Sequence, residues 1–316
     1  MSSQSQGRYY VPGRERPRRS LASKLKYPLL SLLLIGAASY FGYGLHQTFG
    51  QRQHLASATT GDLVATTQYD PATAVQPVQN DNKTIEPAAK TADLSALITR
   101  NGLNQNRAQV WSVAVYDMKN SRWIAQVNPN QQLFSASLYK LYVALAVSKR
   151  VSFDDWSKKQ VSGHSVKECM DLMIRVSDNN CGIGLGNMIG WKNVDNESRK
   201  AGFNSTIMNK PGGSVTTAAD TAVLMSQLYK GDMFGKDASD FILNSLKNQA
   251  IRSGIPAGCK GCTTYNKTGN EGTDNHDTAI VVSGNNMYAV TIMSEGSSMG
   301  KIANVEKSIE AAFKTL

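Results

Sequence analysis

Hydrophobic patterning divides this chain into three regimes. From Tyr27 to Leu45 runs a stretch without one charged residue, with PLLSLLLIGAASYFGYG at its heart. At about 1.5 Å of rise per residue it is just long enough to cross a bilayer with little tilt, and a membrane span is expected there. From 46 to 92 the pattern vanishes: Gln, Thr, Ala, Asn and Asp predominate, Pro71, Pro77 and Pro87 interrupt, and no apolar periodicity survives. Such a segment buries nothing and reads as a flexible spacer. Beyond residue 92 short apolar runs return, at the spacing of a folded head.

Within that head, Val110 to Asp117 and Trp123 to Val127 are β-branched or aromatic runs parted by Met118-Lys119-Asn120-Ser121, which predicts a hairpin. Leu138 to Arg150 reads as a buried helix and Val166 to Val176 as a second. Thr216-Thr217-Ala218-Ala219-Asp220 suggests a capping box, with Thr217 capping and Asp220 reaching back, before a helix to about Tyr229. Thr278 to Val282 and Tyr288 to Met293 flank Ser283-Gly284-Asn285-Asn286, a second hairpin signal, and a helix from about Lys301 to Lys314 closes the chain. Strands at both ends of the domain with helices between them predict an α+β fold, in which an antiparallel sheet carries an inserted helical subdomain. The segments are then 1–26, 27–45, 46–92 and the head, 93–316.

Charge alters the reading of the first segment only. Arg8, Arg14, Arg16, Arg18, Arg19, Lys24 and Lys26 stand against one acid, Glu15, and hold much of the +10 formal charge of the 316 residues. The basic balance therefore does not point to nucleic acid. A basic flank before the span keeps the tail in the cytoplasm and exports everything after Leu45. The rival reading is a cleaved signal peptide cut near Gly36-Ala37-Ala38-Ser39, but 26 residues is long for its charged region and favours a retained, single-pass anchor in the cell membrane. Cys169, Cys181, Cys259 and Cys262 all fall in the exported part, where disulfides persist. Three full pairings are possible, Cys259-Lys260-Gly261-Cys262 could close a small ring, and disulfides or free thiols are favoured over a metal. No cofactor motif is present.

The candidate chemistry lies in three ordered motifs: Ser137-Leu138-Tyr139-Lys140, Ser177-Asp178-Asn179 and Lys267-Thr268-Gly269. A serine hydroxyl is a weak nucleophile until a base takes its proton, and a lysine three residues along a helix lies one turn away on the same face. Ser23 to Lys26 and Ser298 to Lys301 share the S-x-x-K spacing but have no partner motifs. Read structurally, Ser137 would be no more than a helix N-cap. Gly296-Ser297-Ser298-Met299-Gly300 matches G-x-S-x-G, but no histidine follows Ser298, so the chain order of that hydrolase class is not met. His276 is expected to be a loop or rim residue.

These motifs resemble the class A β-lactamase-like domain of the penicillin-recognising active-site serine hydrolases, over about residues 93 to 316. Thr216-Thr217 opening a helix, Arg252-Ser253-Gly254-Ile255-Pro256 before the K-T-G strand, and the terminal helix add to the likeness. The resemblance implies that Ser137 is acylated, that Lys140 is its base or proton relay, and that Ser177 passes the proton to the leaving amine. Asn179 would hold the substrate amide and Lys140, while Lys267 and Thr268 would hold the substrate carboxylate. Gly269 would keep the strand edge open, the N–H groups of Ser137 and Asn270 would form an oxyanion hole, and Arg252 would be a further carboxylate contact. A β-lactam or a peptidoglycan stem peptide is the implied substrate.

Two departures stand out. Gly202 to Thr217 reads GFNSTIMNKPGGSVTT, with no acid where the class carries its deacylating glutamate, and Asp195 and Glu197 before it are expected to be surface charges. Ser137 and Ser177 are only 40 residues apart, which implies a trimmed helical half. Acylation without fast deacylation is the expectation. A D,D-carboxypeptidase and a non-catalytic wall-binding or β-lactam-sensing head are the alternatives.

Overall fold

The computed structural model describes residues 93–315; the basic tail, the apolar run 27–45 and the spacer lie outside the described residues. Among the described residues no helix is long and apolar enough to cross a membrane.

Strands β1 (Val110–Asp117) and β2 (Arg122–Val127) form the predicted hairpin, followed by the short strand β3 (Leu133–Phe134). The helical half comprises α1 (Tyr139–Arg150), α2 (Val166–Arg175), α3 (Asn179–Ile189) and α4 (Trp191–Lys200). Strand β4 (Val215–Thr216) pairs with β3, and helices α5 (Ala218–Lys230) and α6 (Lys236–Lys247) follow. The chain then returns through β5 (Thr263–Glu271), β6 (Asp274–Ser283) and β7 (Asn286–Glu295) to α7 (Met299–Phe313). The five-stranded sheet has the order β2-β1-β7-β6-β5, antiparallel throughout. Both ends of the domain thus contribute strands, as the sequence predicts, and they meet where Val113 stands opposite Ile292. Strand β5, which carries K-T-G, lies at the edge.

The sheet separates two cores. Val113, Val115, Ala279, Val281, Val290 and Ile292 pack on Ile302, Val305 and Ile309 of α7 and on Leu94, Ile98 and Leu103 of the N-terminal turns. Each such large aliphatic side chain contributes roughly 1.5–3 kcal/mol on full burial. The opposite face covers the helical half, where Leu141, Leu145, Trp156, Met170 and Leu185 are buried. Central strands are buried on both faces, and for that reason β1 reads as a continuous apolar run rather than an alternation.

Several expectations need correction. Strands β6 and β7 are longer than their apolar runs, because Asp274, Asn275 and His276 continue the ladder as polar residues. His276 is not at a rim: it is fully buried in β6. The Thr217 hydroxyl does cap α5 by accepting from Asp220 N–H at 3.0 Å, but the Asp220 carboxylate does not reach back and instead accepts from Thr206 Oγ1 at 2.8 Å. Asp195 is no surface charge; it is buried and accepts the Met208 N–H at 2.5 Å and the Asn209 N–H at 3.3 Å. Glu197 is partly exposed and pairs with Arg150 at 2.7 Å and Lys200 at 3.3 Å. Ser298, the centre of the G-x-S-x-G match, caps α7 by accepting the Lys301 N–H. Both cysteine pairs are disulfides, Cys169–Cys181 and Cys259–Cys262.

Candidate active site

Ser137 lies in the 3-10 turn Ala136–Leu138 that runs into α1, so it caps nothing; the N-cap position of α1 is Leu138, with no side-chain cap. The turn brings Lys140 one residue into the helix, with Nζ 3.0 Å from Ser137 Oγ. Lys140 is fully buried despite its charge. Its Nζ donates to Ser177 O at 2.6 Å and to Asn179 Oδ1 at 2.7 Å, with Ser177 Oγ at 3.2 Å. These contacts explain the middle motif. Asp178 caps α3 through Cys181 N–H at 2.8 Å, which orients Asn179 in its first turn. Ser177 sits at φ 61° and Ala136, just before the nucleophile, at φ 42°. Both are in the left-handed region that non-glycine residues seldom occupy, and such strain concentrates at functional sites.

The Cys169–Cys181 disulfide ties α2 to α3 across this turn. From the other side, Lys267 of β5 donates to Ser177 Oγ at 2.8 Å and to Thr268 O at 2.8 Å, also fully buried. Ser177 therefore stands between two lysine amines. Gly269 follows, and a Cβ there would meet Ser135 O at 3.1 Å and Ala136 Cβ at 3.3 Å. Such contacts are tighter than ordinary van der Waals packing, so a bare backbone suits the close approach of the sheet edge to the nucleophile turn.

Electrostatics distinguish the two lysines. Burial pushes the Lys140 ammonium down to about 8, against the opposing pull of Asp178. Lys267 is pushed well below its usual range by burial first and by Lys140 second, while Asp277 resists. Tyr139, beside Lys140, is raised to about 12 by burial, then by Asp178 and Glu271. A cleft of about 350 Å³ opens next to Asn179, walled by Tyr139, Ile183, Trp191 and Met208 with Glu271 at its edge.

The structure thus brings Ser137, Lys140, Ser177, Asn179, Lys267 and Gly269 together. Thr268 lies on the other face of β5, Asn270 is exposed and donates to Asn275 Oδ1 at 2.7 Å, and Arg252 is applied to Lys247 O, Asn266 Oδ1 and Thr264 Oγ1 rather than to the Ser137 cluster. Among the described residues the one group of metal-ligand type is Cys259, Cys262 and Glu310, whose two sulfurs are already bonded to each other.

The family model described as "Beta-lactamase enzyme family" matches residues 89–315. The chain belongs to that family. Its fold is shared with solved structures: PBP-A, 20% identical over 71% of this chain and 97% of that one at TM-score 0.63; the TLA-1 extended-spectrum β-lactamase, 22% over 71% and 99% at 0.63; and the β-lactamase of Sphaerobacter thermophilus, 14% over 71% and 98% at 0.60. A mutant of PBP-A, 20% identical over 70% of this chain and 96% of that one at 0.61, is an acyl-enzyme complex with penicillin G. No curated protein matches the chain. The head is accordingly a serine hydrolase of the β-lactamase family.

Sequence reasoning missed Tyr139, Glu271, Asp277 and the structural use of Asp195 and His276. His276 Nδ1 accepts the Ser294 N–H at 3.1 Å, which leaves Nε2 to donate to Phe134 O at 2.8 Å, three residues before Ser137. One histidine imidazole so anchors the nucleophile turn to the sheet. No local pattern marks such a cross-chain contact.

Proposed function

We propose that the head is acylated on Ser137 by β-lactams or by peptidyl-D-Ala-type stem peptides, and that it releases the acyl group slowly. The supporting observation is the hydrogen-bond set of Lys140. Ser177 O and Asn179 Oδ1 can only accept, so they take two N–H bonds. A neutral amine has two, and its remaining lone pair is left for the hydroxyl of Ser137. Lys140 takes that proton as Oγ attacks the amide carbonyl; Ser177 then gives its own proton to the leaving nitrogen and is reprotonated from the lysines. Lys267 holds the substrate carboxylate, while Thr268, on the other face of β5, contributes the backbone oxygen that accepts from Lys267 Nζ at 2.8 Å. The N–H groups of Ser137 and Asn270 receive the oxyanion, where one lost donor costs about 2.7–4 kcal/mol of barrier.

Slow release follows from where the acids are. The loop from Gly202 to Thr217 has none, Asp195 is consumed by backbone N–H groups, and Glu197 by Arg150 and Lys200. The D,D-carboxypeptidase reading is favoured by the same acid-free loop. The apolar run 27–45 supports a membrane anchor that holds the head on the extracytoplasmic side, with 46–92 as its spacer. Mass spectrometry of the head after mixing with a penicillin is the test. One intact β-lactam should be gained and held for minutes or longer, and none by Ser137→Ala. An unchanged wild-type mass against several β-lactams sinks the catalytic reading, and steady-state turnover of a chromogenic cephalosporin at tens per second sinks the slow release.

A further inference from the structure

The cleft beside Asn179 has a chemistry of its own. Side chains alternate along a strand, so Lys267, Gly269 and Glu271 share one face of β5. That face is turned to the nucleophile: Lys267 Nζ reaches Ser177 Oγ at 2.8 Å, and a Cβ at Gly269 would meet Ser135 O and Ala136 Cβ. Glu271 projects from the same face roughly 7 Å beyond Gly269, at about 3.4 Å per residue, and lines the cleft together with Tyr139 and Asn179. Its exposed carboxylate forms no ion pair among the described residues. Asp274, directly opposite in β6, adds a second negative charge rather than a cation.

The other walls favour a cation on an apolar stem. Tyr139 and Trp191 stand edge to face with ring centroids 5.7 Å apart, and Ile183 and Met208 add apolar surface. Trp191 is held in place: its Nε1 donates to Asn187 Oδ1 at 2.8 Å, and a Cβ on Gly186 would come within 2.4 Å of its ring. Aromatic rings attract cations through their negative faces, and apolar surface accepts an alkyl stem. After burial, Asp178 and Glu271 are what push the Tyr139 hydroxyl up to about 12, so that wall lies in their negative field. The opposing charge is Lys210, from the loop 202–217. It is exposed and carried on a freely rotating stem, whereas the β5–β6 ladder fixes the backbone of Glu271.

We infer that the cleft selects acyl donors whose side chain ends in an ammonium group, with Glu271 as the specificity-determining residue and Tyr139 and Trp191 as walls for the stem. It rests on the acylation reading above and gives that reading a substrate class: an amine-bearing acyl group, on a β-lactam or on a stem peptide with a free side-chain amine. In that reading Asn179 holds the amide of the donor, so the group attached to the amide enters where the cleft opens.

Three penicillins with the same alkyl stem and different ends provide the test: 6-aminohexanoyl, heptanoyl and pimeloyl, which end in ammonium, methyl and carboxylate. The readout is the ratio of their second-order acylation constants with the full chain at low salt. Glu271 is exposed, so its pairing with an ammonium changes a rate by about threefold to fivefold rather than by orders of magnitude. The ratio of 6-aminohexanoyl to heptanoyl should fall by that factor in Glu271→Gln, fall further in Glu271→Lys, and be kept in part by Glu271→Asp. Added salt should bring the wild-type ratio toward that of Glu271→Gln. The ratio of pimeloyl to heptanoyl should move the opposite way.

A purely structural role scales all three constants alike and leaves the ratios where they were. Ratios that do not move in Glu271→Gln and Glu271→Lys overturn the inference, as does a wild-type preference for pimeloyl that Lys210→Gln removes. Calorimetric binding of the same probes to the Ser137→Ala protein gives the ratios without acylation. An ammonium preference there, with no acylation of wild type, fails the catalytic reading and leaves the cleft assignment standing; acylation without any preference does the reverse.

Discussion

The pH dependence of Ser137 acylation should report the ionisation of one residue. Lys140 is held near 8 by burial, so roughly a tenth of it is neutral at pH 7. If the neutral amine is the base, the second-order acylation constant rises about tenfold per pH unit through pH 5 to 7 and levels off above 8. Lys140→Ala should lose about 10²- to 10⁴-fold at pH 8, the usual contribution of a positioned base, and should lose the acidic limb as well. Asp178→Asn refines the test. Asparagine caps a helix as well as aspartate does, so the bond to Cys181 N–H is retained while the charge that supports the Lys140 ammonium is removed. The limb should therefore move to lower pH in that variant. Stopped-flow acylation with a chromogenic β-lactam from pH 5 to 9 measures all three. A flat wild-type profile across pH 6 to 8, or an upward move in Asp178→Asn, refutes the assignment of Lys140 as base.

Three further outcomes follow from buried groups. Burial raises the Glu306 carboxyl from its ordinary 4.5 to about 8, so the folded head keeps a proton that the unfolded chain releases, and stability should fall as pH rises through that window. The loss is at most roughly 4–5 kcal/mol at about 1.36 kcal/mol per pH unit, and Glu306→Gln should flatten it in urea titrations at pH 5 and 8; parallel curves would contradict this. Burial lowers the His276 pKa from 6.5, so the stability it supplies is present above that value and is lost as pH falls below it. His276→Ala should lower the melting temperature and remove that acid-side loss, having orphaned the Phe134 carbonyl and Ser294 N–H at about 1–3 kcal/mol each. Cys169→Ser should lower stability by about 2–4 kcal/mol and slow acylation too, because the disulfide spans the turn that carries Ser177 and Asn179; a pure stability loss with normal acylation would separate the two effects.

The sheet and helices were legible wherever side-chain period matched burial. Strand β1 and helix α2 are found within a residue or so of their predicted bounds, since Val110–Asp117 is apolar on both faces and Val166–Arg175 has a one-sided apolar stripe. The three motifs were legible because each is local: serine and lysine one helical turn apart, an Asx-capped turn, a glycine in an edge strand. The remainder was not. His276 and Asp277 are polar residues in a central strand, and their partners Phe134 and Ile255 lie far along the chain, at separations no periodicity encodes. Polar residues in such a position lower the apolar signal, so the strand was read short just where it braces the site.

Asp195 illustrates how acid composition alone misleads. It stands seven residues before Gly202 on a helix whose outer face is charged, and by pattern it belongs to solvent. In the fold it points inward and takes the N–H groups of Met208 and Asn209, a use that leaves those backbone donors satisfied without water. The loop beside the nucleophile is therefore held by a carboxylate instead of offering one. The same residue that shapes the wall of the cleft, through Met208 and Asn209, thus has its oxygens turned to backbone N–H groups rather than to a water. Rapid release of an acyl group would require a carboxylate that is not so committed, and Glu271 is the one acid among the residues lining the cleft.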